Sequence, residues 1–323
     1  MQRNLLAVAV VGMMALTVPT SLPHAEQWPQ RTVRIIVPGS AGQGLDVPAR
    51  MFAERLAERW KQPVIIENRP GADGLIGTAA FASLRDDHTL LFWNAAVFTL
   101  YPLVQEKLSY DPGRDIVPIS TATNAFQAIT ASNHLKTRSL RALLDTARSH
   151  PGTLNYNAGA GELPYFFSGF LMGAGLDMVL VPYRDFNLAI QDVAEGRLDV
   201  IMGALLSVLP LAEAGKVKVL AVSNKQRAPL LPEIPTAIEA GFPDLAFEGL
   251  AGFFGSRDVP ADRQDRIAED VRAVAADAIL AERLAAISVI PLGSTPAEFK
   301  AAIDLRRSKM AAMVKLIGHK LAR

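Results

Sequence analysis

Residues 32–46 read Thr-Val-Arg-Ile-Ile-Val-Pro-Gly-Ser-Ala-Gly-Gln-Gly-Leu-Asp. Thr32 to Val37 is dominated by β-branched residues, which favour a strand over a helix. Pro38 interrupts the strand, and a glycine-rich turn carries the chain to Leu45-Asp46, where a helix begins. Ala49, Phe52, Ala53, Leu56 and Trp60 recur at three- and four-residue spacing, so one face of a helix reaching about Trp60 is apolar. Strand, glycine turn and helix in that order form the building unit of an α/β protein.

The alternation continues outward. Val64-Ile65-Ile66 and Thr89 to Trp93 read as strands, with a helix from Leu75 to Ser83 between them. A second series opens at Leu154-Asn155-Tyr156, with a helix from about Pro164 to Met172 and a strand at Val179 to Val181. It continues as a helix from Leu188 to Glu195, a strand from Leu198 to Met202, a helix from Val208 to Ala214 and a strand from Val217 to Val222. Gly196 and Gly215 stand where helices commonly close. Two series predict two mainly parallel sheets flanked by helices, hence two domains. Near the C-terminus, Thr295-Pro296-Ala297-Glu298 has the form of a capping box. The apolar stripe behind it runs through Phe299, Ile303, Met310, Val314 and Ile317, and Arg306, Arg307, Lys309, Lys315 and Lys320 read as a solvated cationic face.

One arrangement occurs in both series. After the first strand come Gly39, Ser40, Ala41, Gly42, Gln43 and Gly44; after the strand at 154–156 come Asn157, Ala158, Gly159, Ala160, Gly161 and Glu162. Each leads into a helix, whose first N–H groups lack intrahelical acceptors and carry partial positive charge. Such turns hold anions, and in open parallel sheets they lie at the carboxyl ends of strands, where ligands bind. Two such cradles facing each other across a cleft would hold a small anion.

Composition removes other classes. The chain has 323 residues, half of them hydrophobic, and no cysteine, so thiol catalysis, cysteine-bound metals and a lipidated N-terminal cysteine are excluded. Arg3 precedes an apolar run from Leu5 to Val18, too short for a membrane span of about 20 residues. Residues 1–25 read as a secretory signal peptide, which implies export, with a single N-terminal membrane anchor as the competing reading. The formal charge is +1, and loss of Arg3 brings it to 1 − 1 = 0, which is unlike a nucleic-acid binder. His88, His134 and His150 are isolated, and neither a zinc-peptidase, a nucleophile-elbow nor a phosphate-loop motif is present. No cofactor, metal or catalytic residue is expected.

Several segments together resemble the Bug receptors, the periplasmic solute-binding components of tripartite tricarboxylate transporters. These are Trp28-Pro29, VRIIVPGSAGQGLDVPAR (33–50), QPVIIENRPGADGLIG (62–77), YDPGRDIVPIS (110–120), PGTLNYNAGAG (151–161), VPYRD (181–185), the stretch 195–222 and LPEIPTAIEAGFP (231–243). The resemblance implies a two-lobed Venus flytrap fold, with a carboxylate between the lobes and transporter subunits in the membrane as partners. It places one domain over 28–130 and 251–323, and the other over 131–250. Departures from the family pattern fall in the loops: Gly39 stands for an aromatic, Gln43 for a glycine, Leu45 for a hydroxyl residue, and Glu162-Leu163-Pro164-Tyr165 for serines and a histidine. A sensory receptor acting on a membrane signalling protein and a periplasmic hydrolase are the alternatives, and a monomer is expected.

Some residues admit two readings. Asp46 would accept a hydrogen bond from a ligand or cap its helix. Asn94, just past the third strand, would donate to a ligand or form an Asx turn. Tyr183 and Arg184 lie at a strand's carboxyl end, where Arg184 would pair with a carboxylate or with Asp185. Glu162 would repel a second carboxylate, select an amine or face solvent, the last being the plainest reading. Asn68-Arg69-Pro70-Gly71 reads as a structural turn.

Overall fold

The computed structural model describes residues 28–42, 44–183 and 185–318. The signal segment (1–25), Gln43, Arg184 and residues 319–323 lie outside the described residues. The chain begins with β1 (Val33–Val37), α1 (Asp46–Trp60), β2 (Val64–Asn68), α2 (Leu75–Ala82) and β3 (Thr89–Asn94). Three short helices follow, α3 (Ala96–Thr99), α4 (Tyr101–Val104) and α5 (Pro112–Asp115), and then β4 (Ile116–Ala125). Next come β5 (Gln127–Ser132), α6 (Leu140–Ser149), β6 (Asn155–Ala158), α7 (Leu163–Gly173), β7 (Val179–Leu180) and α8 (Phe186–Glu195), followed by β8 (Val200–Ala204), α9 (Leu205–Glu213) and β9 (Val217–Val222). The chain ends with β10 (Ala251–Ser256), α10 (Ala261–Ala275), α11 (Ala278–Ala285), β11 (Val289–Pro291) and α12 (Pro296–Ile317).

Two sheets result, ordered β11-β4-β10-β3-β1-β2 and β7-β6-β8-β5-β9. The chain passes from the first to the second at Phe126, between β4 and β5, and returns between β9 and β10. The α/β expectation holds, but the sheets are mixed rather than mainly parallel. Among the described residues, four strand pairings are parallel and five antiparallel. The crossings explain most of this. β4 leaves the first sheet at the edge facing the second, so β10, re-entering there, runs against both β3 and β4. By the same logic β5 enters the second sheet from the gap and runs against β8 and β9. The carboxyl ends of β1, β3, β6 and β8 therefore all point into the space between the sheets.

The core follows the patterning. Phe52 of α1, Phe92 of β3 and Phe253 of β10 are fully buried, with Phe92 and Phe253 ring centroids 4.9 Å apart edge to face. On the second sheet, Tyr156 and Phe167 meet at 5.3 Å in a similar arrangement. The capping box is formed: the Thr295 hydroxyl accepts from the Glu298 N–H at 3.2 Å, and the Glu298 carboxylate accepts from the Thr295 N–H at 2.8 Å. Phe299, Ile303, Met310 and Ile317 are buried along α12. This helix lies against α3 and β4 of the first sheet and also reaches α7 of the second. Arg307, Lys309 and Lys315 face solvent as expected, whereas Arg306 does not. Among the described residues, no helix is long and apolar enough to cross a membrane.

Candidate functional site

The first glycine loop is held from behind by Asp46. This residue is fully buried at the first position of α1, and its carboxylate accepts from the Gly42 N–H at 2.6 Å, Arg50 Nε at 2.8 Å and Asn68 Nδ2 at 2.8 Å. Burial alone would raise its pKa; hydrogen bonds from Arg50, Gly42 and Asn68 outweigh that and hold the carboxyl below its usual value. Asp46 is thus not the helix cap, and its fully buried carboxylate, holding three donors, is not part of the cavity wall. The Asn68–Gly71 segment does more than turn the chain: Asn68 Nδ2 also donates to the Gly39 carbonyl at 3.0 Å, bracing the loop. Gly39 does not open a cavity, since a Cβ there would meet the Trp93 ring at 3.1 Å and that ring fills the space. Ser40, Ala41, Gly42 and Gly44 face solvent, and the loop's contribution to the gap is Leu45.

The second loop is presented differently. The Gly159 N–H donates to the Met202 carbonyl at 2.8 Å, tying the end of β6 to β8 and keeping Gly159 itself behind the wall. Gly161 adopts φ 71°, a left-handed conformation open to glycine at little cost, and a Cβ there would meet no atom within 4 Å. The N–H groups of Ala160, Gly161 and Glu162 find no backbone acceptor among the described residues. They remain available at the start of α7, where the helix dipole favours negative charge.

A cavity of about 190 Å³ lies between the two sheets. Ala160, Gly161, Glu162 and Leu163 form one wall; Leu45, Asn94 and Ala96 form the opposite one. Its floor comes from the crossing segments, with Thr123 and Ala125 of β4, Gln127 of β5, and Phe247 and Gly249 to Ala251 on the return. Asn94 forms the Asx turn, its Oδ1 accepting from the Ala96 N–H at 3.0 Å, and it also lines the cavity. Gln127 is nine-tenths buried, and its Oε1 has no hydrogen-bond partner. Such an oxygen lowers its burial cost by accepting from a hydrogen-bond donor, which an ionised carboxylate group does not itself supply.

Glu162 corrects the reading that it faces solvent. Its side chain is 9% exposed and reaches across the gap. Oε1 accepts from the Thr99 hydroxyl at 2.5 Å, and Oε2 pairs with Arg306 Nη1 at 3.1 Å. Tyr183 is also corrected: its hydroxyl donates to Asp192 at 2.6 Å, and burial together with that bond pushes its pKa up to about 12. It braces β7 against α8 and does not line the cavity. The expected sites at Gln43 and Arg184 lie outside the described residues.

The sequence reading missed Thr123, Gln127 and the 247–251 segment because β4, β5 and β10 were not foreseen. A signal existed: Ile116 to Ser132 holds no charged residue, as expected for strands buried on both faces. Of the histidines, His88 pairs with Asp87 at 2.6 Å and His134 with Asp199 at 2.8 Å, and neither lines the cavity. Asp86, Asp87 and His88 cluster as metal ligands would, but Arg31, Arg34 and Arg263 already neutralise the carboxylates.

Comparisons with known proteins agree with this geometry. The "UPF0065 protein in tcbD-tcbE intergenic region" of Pseudomonas sp. strain P51 is 28% identical over 95% of this chain and 93% of its own length. Protein BugT of Bordetella pertussis is 26% identical over 97% of this chain and 98% of its own. Among solved structures, that of R. palustris Rpa4515 with adipate superposes with a TM-score of 0.77 at 27% identity, covering 90% of this chain and 98% of that one. Residues 48–318 match the family described as tripartite tricarboxylate transporter family receptor, and the chain belongs to that family of solute-binding proteins.

Proposed function

We propose that the chain is a periplasmic receptor, not an enzyme, that captures a small carboxylate and delivers it to the membrane subunits of a tripartite tricarboxylate-type transporter. The two sheets with their helices act as two lobes, joined at Phe126 and between Val222 and Ala251, that close on the ligand as a monomer. The observation that carries this reading is the cavity between the sheets. Its walls are largely apolar, yet free N–H groups at the start of α7, Asn94 and Gln127 line one small space. Backbone amides at a helix start suit a carboxylate, and the apolar remainder suits a carbon chain or ring. Family membership and the adipate bound to the R. palustris relative support the same ligand class.

Ligand-linked stability tests it. A molecule bound only by the folded state adds about 2.7 kcal/mol at 100 times its Kd. For a chain of this size each kcal/mol moves Tm by roughly 2–4 °C. A panel of aliphatic and aromatic acids on ligand-free protein is expected to contain at least one that raises Tm by several degrees. A panel without a single shift, on protein that melts cooperatively, would contradict the carboxylate assignment.

A further inference from the structure

We infer that Glu162 occupies, from within the chain, the place of a ligand's second carboxylate, and so makes the cavity selective for monocarboxylic acids. This deepens the carboxylate-receptor reading and rests on it. Glu162 stands at the cap position of α7 yet makes no capping hydrogen bond with that helix. Its carboxylate crosses the gap to Thr99 of α3 and Arg306 of α12. Arg306, in turn, does not need Glu162 to be held in position. Its guanidinium lies 4.3 Å from the centroid of the Phe247 ring, and its Nη2 donates to the Glu248 carbonyl. Arg306 is not itself in the cavity wall but stands directly behind two residues that are, Glu162 and Phe247; a fixed cation there is a ready carboxylate site, and an acid of the chain already fills it.

Glu162 is the one charged residue in the described cavity wall, and Arg306 cancels its charge. A monocarboxylate places its anion on the N–H groups opening α7 and its carbon body against Leu45, Leu163, Leu250 and Phe247. The second carboxylate of a diacid would find no free cation there, and would stand near Glu162 with a like charge. Desolvating an unpaired carboxylate is unfavourable, so the diacid binds less well.

The test uses matched acids: hexanoate against adipate, and benzoate against terephthalate, titrated calorimetrically into the full chain freed of ligand. Wild type is expected to bind the monoacid of a pair at least tenfold more tightly than the diacid. Glu162→Ala frees Arg306, and the ratio is expected to move at least tenfold toward the diacid; Glu162→Gln, which keeps the size, moves it the same way by less. A purely structural ion pair would weaken both acids alike, so an unchanged ratio in folded variants overturns the inference and leaves the receptor assignment standing. A wild-type preference for the diacids overturns it without any variant. If wild type binds neither member of either pair, the inference falls; if in addition no acid of the wider panel binds, the carboxylate assignment falls with it.

Discussion

Gly161→Val is expected to lower affinity for the best carboxylate at least about 100-fold, or about 2.8 kcal/mol. A side chain at this position would point into open space rather than into neighbouring protein, since no atom lies within 4 Å of its Cβ. Gly161 lines the cavity, and a branched side chain there is expected to screen the N–H groups of Ala160, Gly161 and Glu162. The φ of 71° adds strain of about 1–2 kcal/mol, which a domain with a stability of about 5–15 kcal/mol survives. Gly42→Val is the matched comparison. It has φ 76° and equally open surroundings, but it faces solvent outside the cavity wall. Its binding is expected to fall no more than about tenfold. Titration of both variants, with near-ultraviolet spectra as a folding control, checks the pair. Equal losses in the two would put the first loop back into the site.

Gly252→Val is expected to cost at least about 3 kcal/mol of stability. Gly252 lies in β10 between β3 and β4, beside an irregularity in the β10–β4 register. A Cβ there would collide with the Ser120 carbonyl oxygen and approach the Phe299 ring of α12 to 2.9 Å. Neither neighbour can move easily, because Ser120 is fully buried in the central sheet and Phe299 anchors α12 under it. Gly215→Ala serves as the reference. It has φ 66° with no atom near the new Cβ, and so it loses only the conformational term of about 1–2 kcal/mol. Urea unfolding followed by tryptophan fluorescence separates the two costs. If Gly252→Val is no less stable than Gly215→Ala, the close packing described for β10 is wrong.

Local chemistry was legible where it decides local structure. The strand–turn–helix units at 33–60 and 155–173, the left-handed glycine closing α8 and the capping box of α12 all follow from patterns a few residues long. What eluded the sequence was long-range. β4 and β5 run through Ser120-Thr121-Ala122-Thr123 and Gln127-Ala128, small and hydroxylated residues that alternate with nothing because both faces are buried. Missing them put the crossing at 130/131, inside β5, rather than at Phe126, and concealed the cavity floor. Mixed pairing is likewise a consequence of the chain entering each sheet from the gap, which no single strand reveals. Glu162 was misread because its partners Thr99 and Arg306 lie 63 and 144 residues away. Asp46 was misread because a buried aspartate at a helix start resembles a cap until Arg50 and Asn68 are seen to enclose it. Gly39 looked like lost bulk, yet the Trp93 ring occupies that space.

The central claim is that a carboxylate sits between the two sheets at the start of α7. A crystal structure of the protein with the tightest-binding acid from the panel tests it most directly. The account predicts the carboxylate within hydrogen-bond reach of the Ala160–Glu162 N–H groups, with the carbon body toward Leu45 and Phe247 and a polar atom facing Asn94 or Gln127. The competing location is the outer pocket lined by Tyr156, Met172 and Ile317, beneath the far end of α7. An acid found there, with the space between the sheets unliganded, would contradict the account.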